Sequence, residues 1–152
     1  ASLREGEAMP QRPVREIIER ERLVSVGPDA TAKQAVAAMV EHHCGSIVVL
    51  EAEKVAGIFT ERDLMLRVVN AGRDPAATTM RQVMTPSPDT IDADAPVSHA
   101  IRAMDEFSYR YLPVLDGGRC IGVISTRHLP FSDVLEMKDE LETRHDLAER
   151  MR

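Results

Sequence analysis

A mixed α/β chain built from two copies of one βαββα unit is the fold class that the sequence predicts, and three observations predict it. The stretch GIFTERDL at residues 57–64 returns, altered, as GVISTRHL at residues 122–129, an offset of 65. With that same offset, residues 31–64 lie on residues 96–129 without a gap. The matching pairs are those a shared core would demand: Ala35/Ala100, Met39/Met104, Ile47/Leu112, Val49/Val114 and Gly57/Gly122. The two copies are expected to pack through their sheets as one pseudo-symmetric unit, followed by a C-terminal helix, because about sixty residues alone make a marginal core.

The elements follow in chain order. Residues 1–13 read as a flexible leading segment, and Val14, Ile17 and Ile18 superpose on Met80, Val83 and Met84 after a further shift of one residue. Copy one, residues 14–70, then gives a short strand at Leu23–Val26 and an amphipathic helix from Thr31 with apolar residues three and four apart. The run SIVVL reads as a buried strand; a second strand ends in GIFT and gives way to a second helix. The stretch NAGRDPAA at 70–77 breaks that helix and makes residues 71–78 a linker. Copy two, residues 79–135, repeats the order with a strand at Thr90–Asp92 and the buried strand YLPVL. Its DGGR at 116–119 reads as a hairpin turn that uses glycine for positive φ. The tail sets Val134, Met137, Leu141, Ala148 and Met151 on one helical face, which suits either a cap on the unit or a dimer contact.

Composition excludes several classes of function. At 43% hydrophobic and 29% charged residues, the 152-residue chain is of the soluble globular kind. No run is long and apolar enough to cross a bilayer, and ASLREGEAMPQRP lacks the apolar core of a secretion signal, so a cytoplasmic protein with no membrane partner is expected. A net charge of −6, with aromatics at 3%, argues against a nucleic-acid surface. Cys44 and Cys120 lack ligand spacing and read as reduced, mostly buried thiols; His42 and His43 lack a third ligand. No metal site is expected, and the absence of GxSxG, GxxxxGK[ST], GxGxxG and HExxH leaves no enzymatic motif.

The repeated junction carries the chemistry. Thr60 stands where a strand becomes a helix, so its hydroxyl and the free amides of the first turn can donate to an anion. Asp63, one turn on, can accept two vicinal hydroxyls with its two oxygens. Gly57 permits a close neighbour. The same Thr60-x-x-Asp63 spacing is also that of a helix capping box, in which the pair satisfies itself and binds nothing. In copy two His128 replaces the acid and cannot grip a diol in the same way, and Pro130 disturbs the helix start. The Asp63 site is therefore expected to be competent and the His128 site degenerate or adapted, with His128 an ordinary surface histidine and a pH-sensitive contact as the alternative.

Two such copies, each ending in glycine, two apolar residues, Thr or Ser and, three residues later, an acid or its replacement, resemble the paired cystathionine β-synthase (CBS) domains, or Bateman module, over roughly residues 14–135. The resemblance implies a regulatory module without catalysis of its own. Such pairs hold adenosine-containing ligands (AMP, ADP, ATP, NAD or S-adenosylmethionine) in clefts between the copies, and usually dimerise. It places Asp63 on the ribose, Met84 and Thr85 near the adenine, and Arg110 near the phosphate. Arg62 is a further candidate for the phosphate, though exposure suits it better. A homodimer that signals to an effector protein in trans is expected, and a ligand-free interaction module is the alternative.

Overall fold

The structure, a computed structural model, describes residues 11–18 and 20–129. The expected C-terminal helix lies outside the described residues. Helix α1 (Val14–Ile18) leads into β1 (Ser25–Val26), α2 (Ala32–Glu41), β2 (Ser46–Glu51) and β3 (Lys54–Thr60). A turn of helix, α3 (Glu61–Asp63), continues as a π-helical segment, Leu64–Val69. Then come α4 (Met80–Val83), β4 (Thr85–Pro86), β5 (Ile91–Asp92), α5 (Val97–Phe107), β6 (Tyr111–Asp116), β7 (Arg119–Ser125) and a 3-10 turn, Thr126–His128.

The two copies repeat down to their irregularities. β1 runs parallel to β2 and β2 antiparallel to β3, while β5, β6 and β7 pair in the same senses. Both hairpins shift register at the same place, between Val49 and Leu50 and between Val114 and Leu115. Both long helices end on a left-handed residue, His43 (φ 52°) after α2 and Ser108 (φ 58°) after α5. Thr31 and Gln34 close a capping box at the start of α2, whereas Pro96 starts α5 without a side-chain cap. Strand β4 was not foreseen. It adds antiparallel to β3, so the first sheet has four strands in the order β1-β2-β3-β4 and the second three in the order β5-β6-β7.

Each copy lends its leading segment to the other's core. Val14 and Ile18 of α1 are buried with Ile91, Val97, Ile101, Leu112 and Ile124 of copy two. Met80, Val83 and Met84 are buried with Ala35, Met39, Ile47, Phe59 and Val68 of copy one. The backbone contacts are equivalent: Val14 N–H donates to the Ala95 carbonyl (2.9 Å) and Met80 N–H to that of Ala30 (2.8 Å). So are the ion pairs, for Arg15 joins Asp94 and Asp116 while Arg81 joins Asp29 and Glu51. The extra one-residue shift noted in the sequence is thus the register of two exchanged arms, and burying each arm joins two small cores that are marginal apart. β3 and β7 meet between them.

Candidate functional site

Thr60 ends β3 in an extended conformation (φ −117°, ψ 166°), which aims its hydroxyl along the helix that follows. The Asp63 amide donates to that hydroxyl at 3.2 Å, and Asp63 Oδ2 accepts from the Thr60 amide at 2.9 Å and from its hydroxyl at 3.2 Å. The capping box is therefore formed. The Glu61 amide donates to the Gly45 carbonyl at 3.0 Å, so two of the first-turn amides that the sequence offers to an anion are already engaged.

Strand β4 completes the cluster. The Thr85 hydroxyl donates to Asp63 Oδ1 at 3.1 Å, and Met84 lies over Gly57, where an added Cβ would stand 2.5 Å from its sulfur and 2.9 Å from the Thr85 carbonyl oxygen. Gly57 is what allows β4 to approach β3 this closely. Asp63 itself is 7% exposed. A residue the sequence did not single out, Arg67, pairs with Asp63 Oδ1 (Nε at 3.5 Å) and donates through Nη1 to the Met84 carbonyl at 2.8 Å. The signal was available as an acid and a base four residues apart on one helix.

Thr60, Asp63, Met84 and Thr85 are thus brought together. Met84, the expected adenine contact, is 8% exposed and sits in the core of copy one. Arg62 is exposed. Arg110 is exposed as well, just ahead of β6, and its carbonyl accepts from the Thr126 amide of the copy-two junction; among the described residues its side chain has no contact with Asp63.

The copy-two junction shows what His128 does. Its Nδ1 accepts the Ser125 amide at 2.8 Å, as Asp63 accepts that of Thr60, so the ring closes a capping box without a carboxylate. An amide can only donate, so Nδ1 carries no proton and the neutral ring holds its proton on Nε2. Nε2 faces Glu21 Oε1 at 2.6 Å. With its side chain 10% exposed, His128 is not the surface histidine that the sequence suggested. A cavity opens on this side, between the Ser125–His128 turn, Glu21, Cys44, Ser46, Tyr111 and Arg127. Burial pushes the Cys44 thiol up, which keeps it a thiol and not a thiolate.

A hydrogen bond across the copies separates the two junctions. The Tyr111 hydroxyl donates to Glu61 Oε1 at 3.0 Å, passing Gly45, where a Cβ would stand 2.2 Å from it. Burial first, then the bond to Glu61, raises the Tyr111 phenol above its ordinary value.

The family model for the CBS domain matches residues 14–70 and 80–129. The chain belongs to the CBS-domain family. An uncharacterised protein of Methanopyrus kandleri is 31% identical to this CBS-domain chain over 126 residues, 82% of this chain and 62% of that protein. Hypoxic response protein 1 of Mycobacterium tuberculosis is 29% identical over 69% of this chain and 77% of its own length. Among solved structures, a CBS-domain containing protein of Agrobacterium tumefaciens superposes with a TM-score of 0.68 at 29% identity, covering 83% of this chain and 98% of that one. A CBS domain protein of Pyrobaculum aerophilum, solved in complex with AMP, has a TM-score of 0.74 at 23% identity and covers 84% and 98% of the two chains, a likeness of fold. The tandem CBS pair, or Bateman module, and its mixed α/β fold with an internal repeat are what the sequence led one to expect. The chain spans 62% of the archaeal relative and 22% of an Arabidopsis thaliana CBS domain-containing protein that it matches. No helix among the described residues is long and apolar enough to cross a membrane.

Proposed function

We propose that this CBS pair is a regulatory module, without catalysis of its own, that binds an adenosine-containing ligand beside Thr60 and Asp63 and signals its occupancy to an effector in trans. The observation that carries this reading is Asp63, a carboxylate 7% exposed at a strand-to-helix junction, with one oxygen turned to Thr85 on a strand from the other end of the linker. A carboxylate so placed can accept a ribose diol when the movable groups on its oxygens, the hydroxyls and Arg67, give way. The AMP complex of the Pyrobaculum protein, which shares the fold, supports an adenine nucleotide as the ligand class. AMP is the simplest choice, with ADP, ATP, NAD and S-adenosylmethionine as the others to be compared. Thr85 lies beside the adenosine, with Met84 behind it, and Arg110 reaches the phosphate from the neighbouring copy, with Arg62 second to it. Thermal melts with each compound test the reading. A ligand bound only by the native state adds about 2.7 kcal/mol at one hundred times its dissociation constant. A midpoint unmoved by all five compounds at millimolar concentration would reject it.

A second reading, an interaction module that works as a homodimer, is favoured by a separate observation. Val40, Met65, Leu66 and Val69 on the helices of copy one are 45–69% exposed. Large apolar side chains left open on helices suit a second copy of the chain. A monomer mass by light scattering at micromolar concentration would rule the homodimer out. Ligand binding and dimerisation are compatible, so both measurements are needed.

A further inference from the structure

Without a ligand, the Asp63 carboxylate already accepts three hydrogen bonds and pairs with Arg67. A carboxylate has about four lone-pair positions. Here Oδ2 takes the Thr60 amide and hydroxyl at 2.9 and 3.2 Å, and Oδ1 takes the Thr85 hydroxyl at 3.1 Å and lies 3.5 Å from Arg67 Nε. A hydroxyl that a ligand brings to Oδ2 must displace one of its two donors, and one brought to Oδ1 must displace Thr85 or take the place beside which Arg67 stands. The Thr60 amide is fixed by the helix cap, whereas the two hydroxyls and the guanidinium can swing away. Of these, Arg67 has the longest contact and the easiest path to water, with its side chain 47% exposed against 10% for Asp63.

Arg67 also has a second attachment. Its Nη1 holds the Met84 carbonyl at 2.8 Å, and β4 begins at the next residue. One planar group thus spans the Asp63 carboxylate and the strand through which copy one passes into copy two. Because the guanidinium is rigid, moving Nε away from Asp63 moves Nη1 as well.

We infer that Arg67 is a positioning residue that competes with the ligand for Asp63 Oδ1 and ties the occupancy of that carboxylate to strand β4. The inference rests on Asp63 as the ligand's acceptor, and it adds how the site reports its state. Ligand hydroxyls take Oδ1, Arg67 turns outward, and its hold on the Met84 carbonyl loosens where the two copies join.

The test uses Arg67→Met, which keeps an apolar stem and removes every donor, and Arg67→Lys, whose single ammonium can serve only one of the two partners. Calorimetry with adenosine, which has no phosphate for an arginine to meet, should show Arg67→Met binding about three- to tenfold tighter than wild type and Arg67→Lys in between. A role confined to shaping the site predicts the opposite, so equal or weaker adenosine binding by Arg67→Met overturns the competition. In the ligand-free chain, hydrogen exchange of the Ser87 amide, which donates to the Ala56 carbonyl beside β4, should be several-fold faster in Arg67→Met. An unchanged rate overturns the tie to β4. Failure of wild type to bind either adenosine or AMP rejects the functional reading and the competition together, whereas binding without any gain in the variant rejects the competition alone.

Discussion

His128 Nε2 lies 2.6 Å from Glu21 Oε1, so the residue that replaces the acid of copy one is tied to the segment that leads into β1. The ring uses both nitrogens on its own chain, Nδ1 for the Ser125 amide and Nε2 for Glu21, and has no acceptor left for a diol. His128→Ala is therefore expected to change AMP affinity at the Asp63 site less than about threefold. It should still cost the fold about 0.5–2 kcal/mol through the lost cap. Calorimetry and thermal melts on one sample give both numbers.

Asp63→Ala should weaken AMP binding at least tenfold, since bonds to a charged group are worth about 1.5–3 kcal/mol each. The structure adds a second effect. The same change leaves the partly buried Thr60 amide without its acceptor, at a cost to stability of about 1–3 kcal/mol. Binding must therefore be read well below the melting midpoint of the variant. A folded Asp63→Ala protein that binds AMP like wild type would remove Asp63 from the site.

The two equivalent glycines should respond unequally to alanine. At Gly57 the new Cβ meets Met84 and the Thr85 carbonyl, and backbone cannot be repacked, so a loss of about 1–3 kcal/mol is expected. At Gly122 it meets only the end of the Ile18 side chain, 3.0 Å away, which can turn aside. Denaturant melts that rank Gly122→Ala as the more damaging variant would contradict this packing.

Ala52 and Glu53 form the β2–β3 turn with φ of 50° and 65°, where the matching turn of copy two uses Gly117 and Gly118. Left-handed backbone costs a residue with a Cβ roughly 1–2 kcal/mol. Replacing Ala52 by Asn and Glu53 by Gly gives the pair that such a turn favours, and should raise stability by about 1 kcal/mol with no effect on binding. A fall in melting temperature would show that these side chains matter in some other way.

Acid should loosen the exchanged arm of copy one. The hydrogen bond from Arg15 holds the Asp94 carboxyl below its ordinary value, so the contact stabilises the fold above that ordinary value and is lost as pH falls through the lowered one. Both side chains are in contact with solvent, so the effect is small. The difference in melting temperature between wild type and Arg15→Gln is expected to shrink between about pH 6 and about pH 3. A constant difference would mean that Arg15 acts through packing alone.

The repeat, its βαββα order and the capping spacing of Thr60 and Asp63 were determined by the sequence alone, because local propensity and a constant offset write them in one dimension. The pairing of Val14, Ile17 and Ile18 with Met80, Val83 and Met84 was legible too, though not that each arm would pack into the other copy. That exchange depends on which core has room, as do the closing of β4 over Gly57 and the reach of Arg67 to a carbonyl seventeen residues on. His128 shows the limit most clearly. Its chemistry ruled out an acid's grip from the sequence, but only the folded chain brings Glu21 to its far nitrogen, since a contact over 107 residues is set by the packing of two cores and by no local rule.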